Sequence, residues 1–438
     1  MTDALIVTSV PPQPSRLVRG VDTGPDYIAQ CIRSWRAAGF DVLSINPAAE
    51  LDAIATLGLP VRVEASTGSG LPLIAEMLSA ARGSGCRLAG IVNADCHMLP
   101  VDKLRDRLQE RSVGRILLCE RVDRDQNSLL PLAETYGGFD GFFFDPQAID
   151  ISGLTDHDPA FRLGDVWWDF WFPCFAMAQG LKVGRLMLPI LGHLNHAFRW
   201  SPEAYSVNRD RFSKTLPVLG GKLHARPELN LFAKVMVDVA EGDPASFALI
   251  TRRWLRQSAD CRQLALYDYP ASLAEEYMTL LQRVRHQRQP IPEAPLTFGE
   301  HLQFAAGFPG CRFLTSGWSF PEDWGCWIDG NCGELLCGPL LTGGDIRVDL
   351  TLRAHVSELV PQQMVTVCVN DVPLVSQTFR DDCVHQISFV APHRLTSDAP
   401  EFQLSIWASG PHSPRATHGI EDDRQLGIGV AAISVRPC

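Results

Sequence analysis

The 438-residue chain reads as a doubly wound, mostly parallel α/β domain, a helical connector, and a C-terminal antiparallel β-sandwich or jelly roll. Three changes of pattern predict this. Up to about residue 200, short continuous apolar runs alternate with helix-period segments, as in a parallel sheet covered by its crossover helices. From 201 the strand signal gives way to long segments that are apolar at i, i+3 and i+4. Beyond 296 the period falls to two, in IRVDLTLRAHV, MVTVCVNDVPLV and HQISFVAP, with Gly, Pro, Asn and Asp between them. The expected domains are 1–200, 201–295 and 296–438, with the second cut in the proline-rich stretch Arg285–Pro295.

Each element follows from its local pattern. Ala4–Val7, Asp41–Ile45, Val61–Glu64, Leu88–Val92 and Ile116–Cys119 are successive strands, and Lys182–Leu188 is a later one. Tyr27–Ala38 and Leu73–Ala81 are helices, the second with Pro72 suited to its first turn. Phe142–Phe144 reads as buried strand, and Leu229–Glu241 and Ala271–Arg285 read as helices.

Composition narrows the function classes. With 46% hydrophobic and 20% charged residues the chain is globular, and a net charge of −11 without a basic run excludes a protein built to grip nucleic acid backbone. No stretch reaches the roughly 20 apolar residues of a membrane span, and the opening segment has no signal-peptide pattern, so a cytoplasmic protein is expected. Thirteen scattered cysteines, an odd count, suit a reducing compartment. A negatively charged ligand would need a local cation.

Open α/β sheets bind ligands beyond the carboxyl ends of their strands. Thr8 and Ser9 follow the first strand, Asn46 the second, and Asn93-Ala94-Asp95 the fourth. There is no Gly-x-Gly-x-x-Gly and no phosphate loop, which argues against dinucleotide enzymes and P-loop NTPases. Asn93 and Asp95 alternate, so both face one ligand, and their oxygens suit Mg²⁺ or Mn²⁺; an ordinary turn or helix cap is the alternative. A second cluster is Gly164–Pro173. On a helix, Asp165 and Asp169 share a face beside an apolar wall of Trp168 and Trp171, where a carboxylate's pKa rises and aromatic rings stack on sugars. Alternatively Asp165 caps a helix whose tryptophans are core. A third cluster, Pro189–Trp200, carries His193, His196 and Arg199: one of the histidines completes a metal site, and Arg199 is a cation for an anionic ligand. Asp140 is either an acceptor contact or part of the core.

The first 200 residues resemble the GT-A nucleotide-sugar glycosyltransferases. The resemblance rests on the strand ending in Thr8-Ser9, the helix with Gln30-Cys-Ile-Arg-Ser-Trp35, the strand ending in Asn46 with Glu50 beyond it, and the Asp-x-Asp-like motif at Asn93–Asp95. It implies that Thr8, Ser9, Asn46 and Glu50 contact the nucleoside, and that Asp95 holds a divalent metal bridging the diphosphate. It further implies that Asp169, or failing that Asp165, is the general base. Asn93 stands where the family's first Asp is usual. Ser316–Trp327 and Asp423–Gly429 resemble a β-sandwich module on bacterial polysaccharide-biosynthesis glycosyltransferases. Trp318, Trp324 and Trp327 there are either a sugar platform or core.

The resulting expectation is a metal-dependent glycosyltransferase using a nucleotide-diphosphate sugar and a glycan or lipid-linked acceptor, with the sandwich as a possible surface for homo-oligomer assembly. A carbohydrate-binding scaffold with a degenerate GT-A domain is the first rival, with Asn93 as its best support. A sugar nucleotidyltransferase ranks third, because Val10–Arg16 lacks the Gly-rich basic loop that grips a triphosphate.

Overall fold

The computed structural model describes residues 3–18, 20–124, 139–152, 154, 161–186, 189–196, 201–222, 225–262, 269–273, 299–337, 343–397 and 401–438. Arg199, the part of the expected helix beyond residue 273, and the proline-rich stretch 285–295 lie outside them. The chain divides into two compact units: 1–229 with 258–285, and 230–257 with 286–438. The segment expected as a separate connector is therefore shared out between the two units.

In the first unit, β1 (Ala4–Thr8) is buried along its whole length, as its unbroken apolar run requires. A short hairpin, β2 (Leu17–Val18) and β3 (Val21–Asp22), leads into α1 (Gly24–Ala37), which has a proline at its start, Asp26 in its first turn and Arg36 in its last. There follow β4 (Asp41–Asn46), α2 (Leu51–Thr56), β5 (Arg62–Ala65), α3 (Ile74–Gly83), β6 (Leu88–Val92) and β7 (Cys96–Met98). After α4 (Leu104–Arg111) come β8 (Arg115–Cys119), β9 (Arg121–Arg124), β10 (Gly141–Phe144), α5 (Trp168–Ala178), β11 (Lys182–Leu186), β12 (Leu191–Leu194) and α6 (Pro202–Gly220). Two further helices, α7 (Pro227–Gly242) and α8 (Pro244–Ser258), fall almost wholly in the second unit, and the chain returns to the first at β13 (Asp260–Arg262).

The main sheet has the order β13-β11-β8-β10-β6-β1-β4-β5. Every described neighbour pair is parallel except those of β10, which runs antiparallel between β6 and β8. Gly90 admits this strand. A Cβ there would stand 2.7 Å from the Phe143 ring, so a bare backbone on β6 lets the ring lie flat against it. From β1 the chain first moves outward to β4 and β5, then returns to β6 on the other side. This makes the gap between β1 and β6 the topological switch point, where a crevice opens beyond the strand ends.

A small second sheet, β7-β12-β9, stands beyond those ends. Its register sets His193 on β12 opposite Cys96 on one side and opposite Asp123 on the other. The α1 helix clamps this region through one face: the Tyr27 hydroxyl donates to Asp95 O at 2.9 Å, Trp35 Nε1 donates to Cys96 O at 2.9 Å, and Ser34 Oγ accepts from Met98 N at 2.8 Å.

In the second unit the strands are β14 (His301–Gln303), β15 (Leu314–Ser316), β16 (Cys326–Asp329), β17 (Cys332–Cys337), β18 (Ile346–Ala354), β19 (Gln363–Val369), β20 (Val372–Phe379), β21 (Val384–Ala391), β22 (Phe402–Ala408) and β23 (Leu426–Pro437). They form two antiparallel five-stranded sheets, β14-β23-β18-β21 with β16 on β23, and β15-β17-β22-β19-β20. Alternate residues of both sheets, among them Val348, Leu350, Val365, Val367, Leu404 and Ile428, belong to one apolar cluster. Trp318, Trp324 and Trp327 are half-buried here, and the first two donate their indole N–H to Glu334 O and Glu322.

Candidate metal centre and its carboxylate network

Residues 93–96 form a tight turn at the end of β6, in which Cys96 N donates to Asn93 O at 3.1 Å. The turn aims the Asp95 carboxylate at β12. Its Oδ2 lies 3.0 Å from His196 Nε2 and 3.5 Å from His193 Nε2, and the three ligand atoms of Asp95, His193 and His196 all fall within 4.8 Å of one another. Both histidines expected from the sequence thus meet Asp95, where one had been asked for.

His193 is the informative member. It is 1% exposed, and its Nδ1 lies 2.7 Å from Asp123 Oδ1. An ionised carboxylate only accepts, so Nδ1 carries the hydrogen, and a neutral ring then presents a lone pair at Nε2. That Nε2 is buried, its nearest polar atom is Asp95 Oδ2 at 3.5 Å, and it makes no aligned hydrogen bond among the described residues. A buried acceptor left bare costs about 1–3 kcal/mol, and a carboxylate–imidazole pair with its other nitrogen facing two further donors is how proteins orient metal ligands. The site therefore fits a divalent cation. Two imidazoles with one carboxylate suit Mn²⁺ better than Mg²⁺, which prefers oxygen alone.

Around the three ligands the charges are paired. Asp123 accepts from Arg121 Nε at 2.9 Å, and Arg121 reaches Asp140 at 3.0 Å. Asn93 donates its amide to the same Asp140 oxygen at 2.6 Å, while Asp140 Oδ2 is buried without a partner among the described residues. Burial alone would raise the Asp95 carboxyl, but the facing His193 and His196 rings and their charge outweigh it and hold it well below the ordinary carboxylate range. Burial alone would lower His193, yet its bond to Asp123 and the Asp95 carboxylate facing it raise it. Asp123 is lowered: the His193 bond and the Arg121 charge overcome its burial.

The network runs on to Asp169. Its Oδ2 accepts from Phe139 N at 3.1 Å, one residue before Asp140. Burial, opposed by that bond and reinforced by the Asp140 charge, pushes its pKa up to about 7. Asp169 sits in the first turn of α5, behind Trp167, whose φ of +79° is strained for a bulky residue.

Several expectations are corrected. Asp165 does not share a helical face with Asp169, because α5 begins at Trp168 and Asp165 lies in the preceding loop. Burial raises its carboxyl, with Arg162 and Arg211 opposing. Trp168 and Trp171 are 2% and 3% exposed and pack on Phe142 and on Phe161 and Phe175, so they offer no face to a sugar. Asp140 is 2% exposed and braces Asn93 and Arg121 instead of meeting an acceptor. Thr8, Ser9, Asn46 and Glu50 do come together, but as a brace. Thr8 donates to Val92 O, and the Asn46 amide is shared among Ser9, Val10 O and Glu50. Of the four, only Ser9 and Glu50 are partly exposed.

Four contributors escaped the sequence reading. Arg121 and Asp123 alternate on β9, a period-two signal that was available. Tyr27 accepts from Leu194 N while donating to Asp95 O, tying the two ligand-bearing segments together. Arg16 lies over the Tyr27 ring and donates to Leu194 O.

No protein-family model matches the chain, and no curated protein matches it. Among solved structures, it is similar to residues 1–349 of TarS from S. aureus in complex with UDP-GlcNAc, at 13% identity and a TM-score of 0.37 over 70% of this chain and 98% of that one. Full TarS gives 11% identity and a TM-score of 0.34 over 99% and 85% of the two chains. A putative nucleotide-diphospho-sugar transferase from Desulfovibrio desulfuricans G20 gives 13% and 0.28 over 60% and 100%. Likeness of this degree carries no activity to this chain, so the chemistry has to come from the side chains.

Proposed function

We propose that the first unit is a metal-assisted glycosyltransferase that moves a sugar from a nucleotide-diphosphate donor to a hydroxyl of a glycan or lipid-linked acceptor, in surface-polysaccharide assembly. The observation that carries this reading is the grouping of Asp95, His193 and His196 at metal-ligand spacing beside the switch-point crevice. Asp95, His193 and His196 would hold Mn²⁺, which supplies charge neutralisation to the leaving diphosphate. A chain with a net charge of −11 needs such a cation to retain that ligand. Ser9 and Glu50 remain at the rim for the nucleoside, and Arg199 is kept as a second cation for the diphosphate.

Asp169 takes the acceptor hydroxyl's proton. The freed oxygen pair bonds to the anomeric carbon as the carbon–oxygen bond to the diphosphate breaks. A carboxylate with a pKa near 7 is matched to that task at neutral pH, and such a base adds about 10²–10⁴-fold. The shared apolar cluster of the second unit supports a β-sandwich of jelly-roll type as an accessory or assembly domain. No described helix is long and apolar enough to cross a membrane, and a cytoplasmic setting suits the cysteine usage.

Calorimetry of a nucleoside diphosphate with and without Mn²⁺ tests the reading. Binding should depend on the metal and be lost in Asp95→Ala. Binding that is indifferent to Mn²⁺ and to Asp95 would favour the scaffold alternative.

A further inference from the structure

The outer strands of an open sheet present backbone N–H and C=O groups that invite pairing with another chain. Proteins blunt such edges by keeping them short or by placing charges, proline or a bulge on them. In the main sheet, β13 has three residues, and β5 has four, with Arg62 and Glu64 among them. In the second unit, β14 and β15 have three residues each, and β16 has four with a register shift on β23. The longer β20 carries Pro373 and a register shift against β19.

Among the described residues, β21 carries none of these devices. It is eight residues long, contains no Lys, Arg, Asp, Glu or Pro, and pairs with β18 alone, in unbroken register from Val384 opposite Arg353 to Ala391 opposite Ile346. Its side chains alternate. Ile387, Phe389 and Ala391 belong to the apolar cluster, whereas Val384, Gln386, Ser388 and Val390 are exposed on the other face. The two valines, 63% and 47% exposed, stand at opposite ends of this open edge.

A second copy of the strand complements it. Antiparallel pairing about a two-fold axis at Ile387 sets residue 384 opposite residue 390 of the other copy, 386 opposite 388, and 387 opposite itself. Each exposed valine then meets a valine, a favourable β-branched pair made twice, and no like charges face each other. Moving the axis to Gln386 or to Ser388 would instead oppose Val384 to Ser388, or Val390 to Gln386.

We propose that the chain forms a two-fold dimer through β21, so that the β14-β23-β18-β21 sheet continues into its copy with Ile387 on the axis. This gives the assembly role proposed for the second unit a surface and a partner. It does not rest on the transfer chemistry, so either can fail without the other.

Sedimentation velocity of the full chain over a range of concentrations tests it. The mass should rise toward that of two chains, and amide hydrogen exchange across residues 384–391 should slow as the dimer fills. Val384→Lys with Val390→Lys opposes like charges twice and should weaken association about tenfold or more. Val384→Glu with Val390→Lys opposes unlike charges across the axis and should associate more tightly than the lysine pair, a difference that a general loss of folding would not produce. A mass of one chain throughout, equal association of the two variants, or slowed exchange that spares β21 would overturn the proposal.

Discussion

At the scale of single residues, the account turns on what carboxylates do to their neighbours. Asp123 fixes the His193 tautomer, and Asp140, itself held by Arg121 and Asn93, adds negative charge beside Asp169. Asp169 predicts a pH dependence. As a general base it must be ionised, so turnover should rise as pH passes through about 7 and then level off, and Asp169→Asn should lower kcat by about 10²–10⁴-fold with donor affinity retained. The stability sign follows from the same shift. The folded value lies above the ordinary 3.8, so the folded state keeps a proton that the unfolded chain releases. The stability drawn from that proton is present below 3.8 and is lost as pH rises through about 7; Asp169→Asn should flatten this dependence in chemical denaturation.

At the scale of elements, close backbone approach decides how β10 enters the sheet. Gly90→Ala would drive a Cβ to 2.7 Å from Phe143, a ring with no exposed surface, and overpacking of this kind costs about 1–3 kcal/mol. Urea unfolding should register that loss, whereas the same change at the exposed helical Gly83, with open space around it, should not lower stability. Most strands of the main sheet were legible because buried parallel strands are continuous apolar runs, whereas β13 was not, lying in a stretch that reads as helical. The direction of β10 was not, since Phe142–Phe144 reads the same either way. The three-stranded sheet escaped notice because β7, β9 and β12 are only three or four residues long and carry polar residues. Asp95, His193 and His196 were legible from position after a strand and from spacing. The α5 tryptophans misled because an aromatic helix buried on all sides has the same letters as a sugar platform.

For the molecule as a whole, the division into two units leaves all three candidate metal ligands within the first. The first unit brings one carboxylate and two imidazoles to the crevice of a mostly parallel sheet, and the second is built of two antiparallel sheets. Composition raised the expectation of a cation in an acidic chain, and sequence pattern singled out Asp95, which the structure groups with His193 and His196. The partition of residues 201–295 was not legible, because amphipathic helices do not record which core receives their apolar face. The central claim, a metal held by Asp95, His193 and His196 against a nucleotide diphosphate, is tested most directly by pulsed electron paramagnetic resonance of bound Mn²⁺. Nitrogen couplings from two imidazoles should be seen, with phosphorus coupling appearing when UDP is added, and the nitrogen couplings should vanish in a His193→Ala, His196→Ala double variant. Mn²⁺ without nitrogen coupling, or without phosphorus coupling in the presence of the nucleotide, would contradict it.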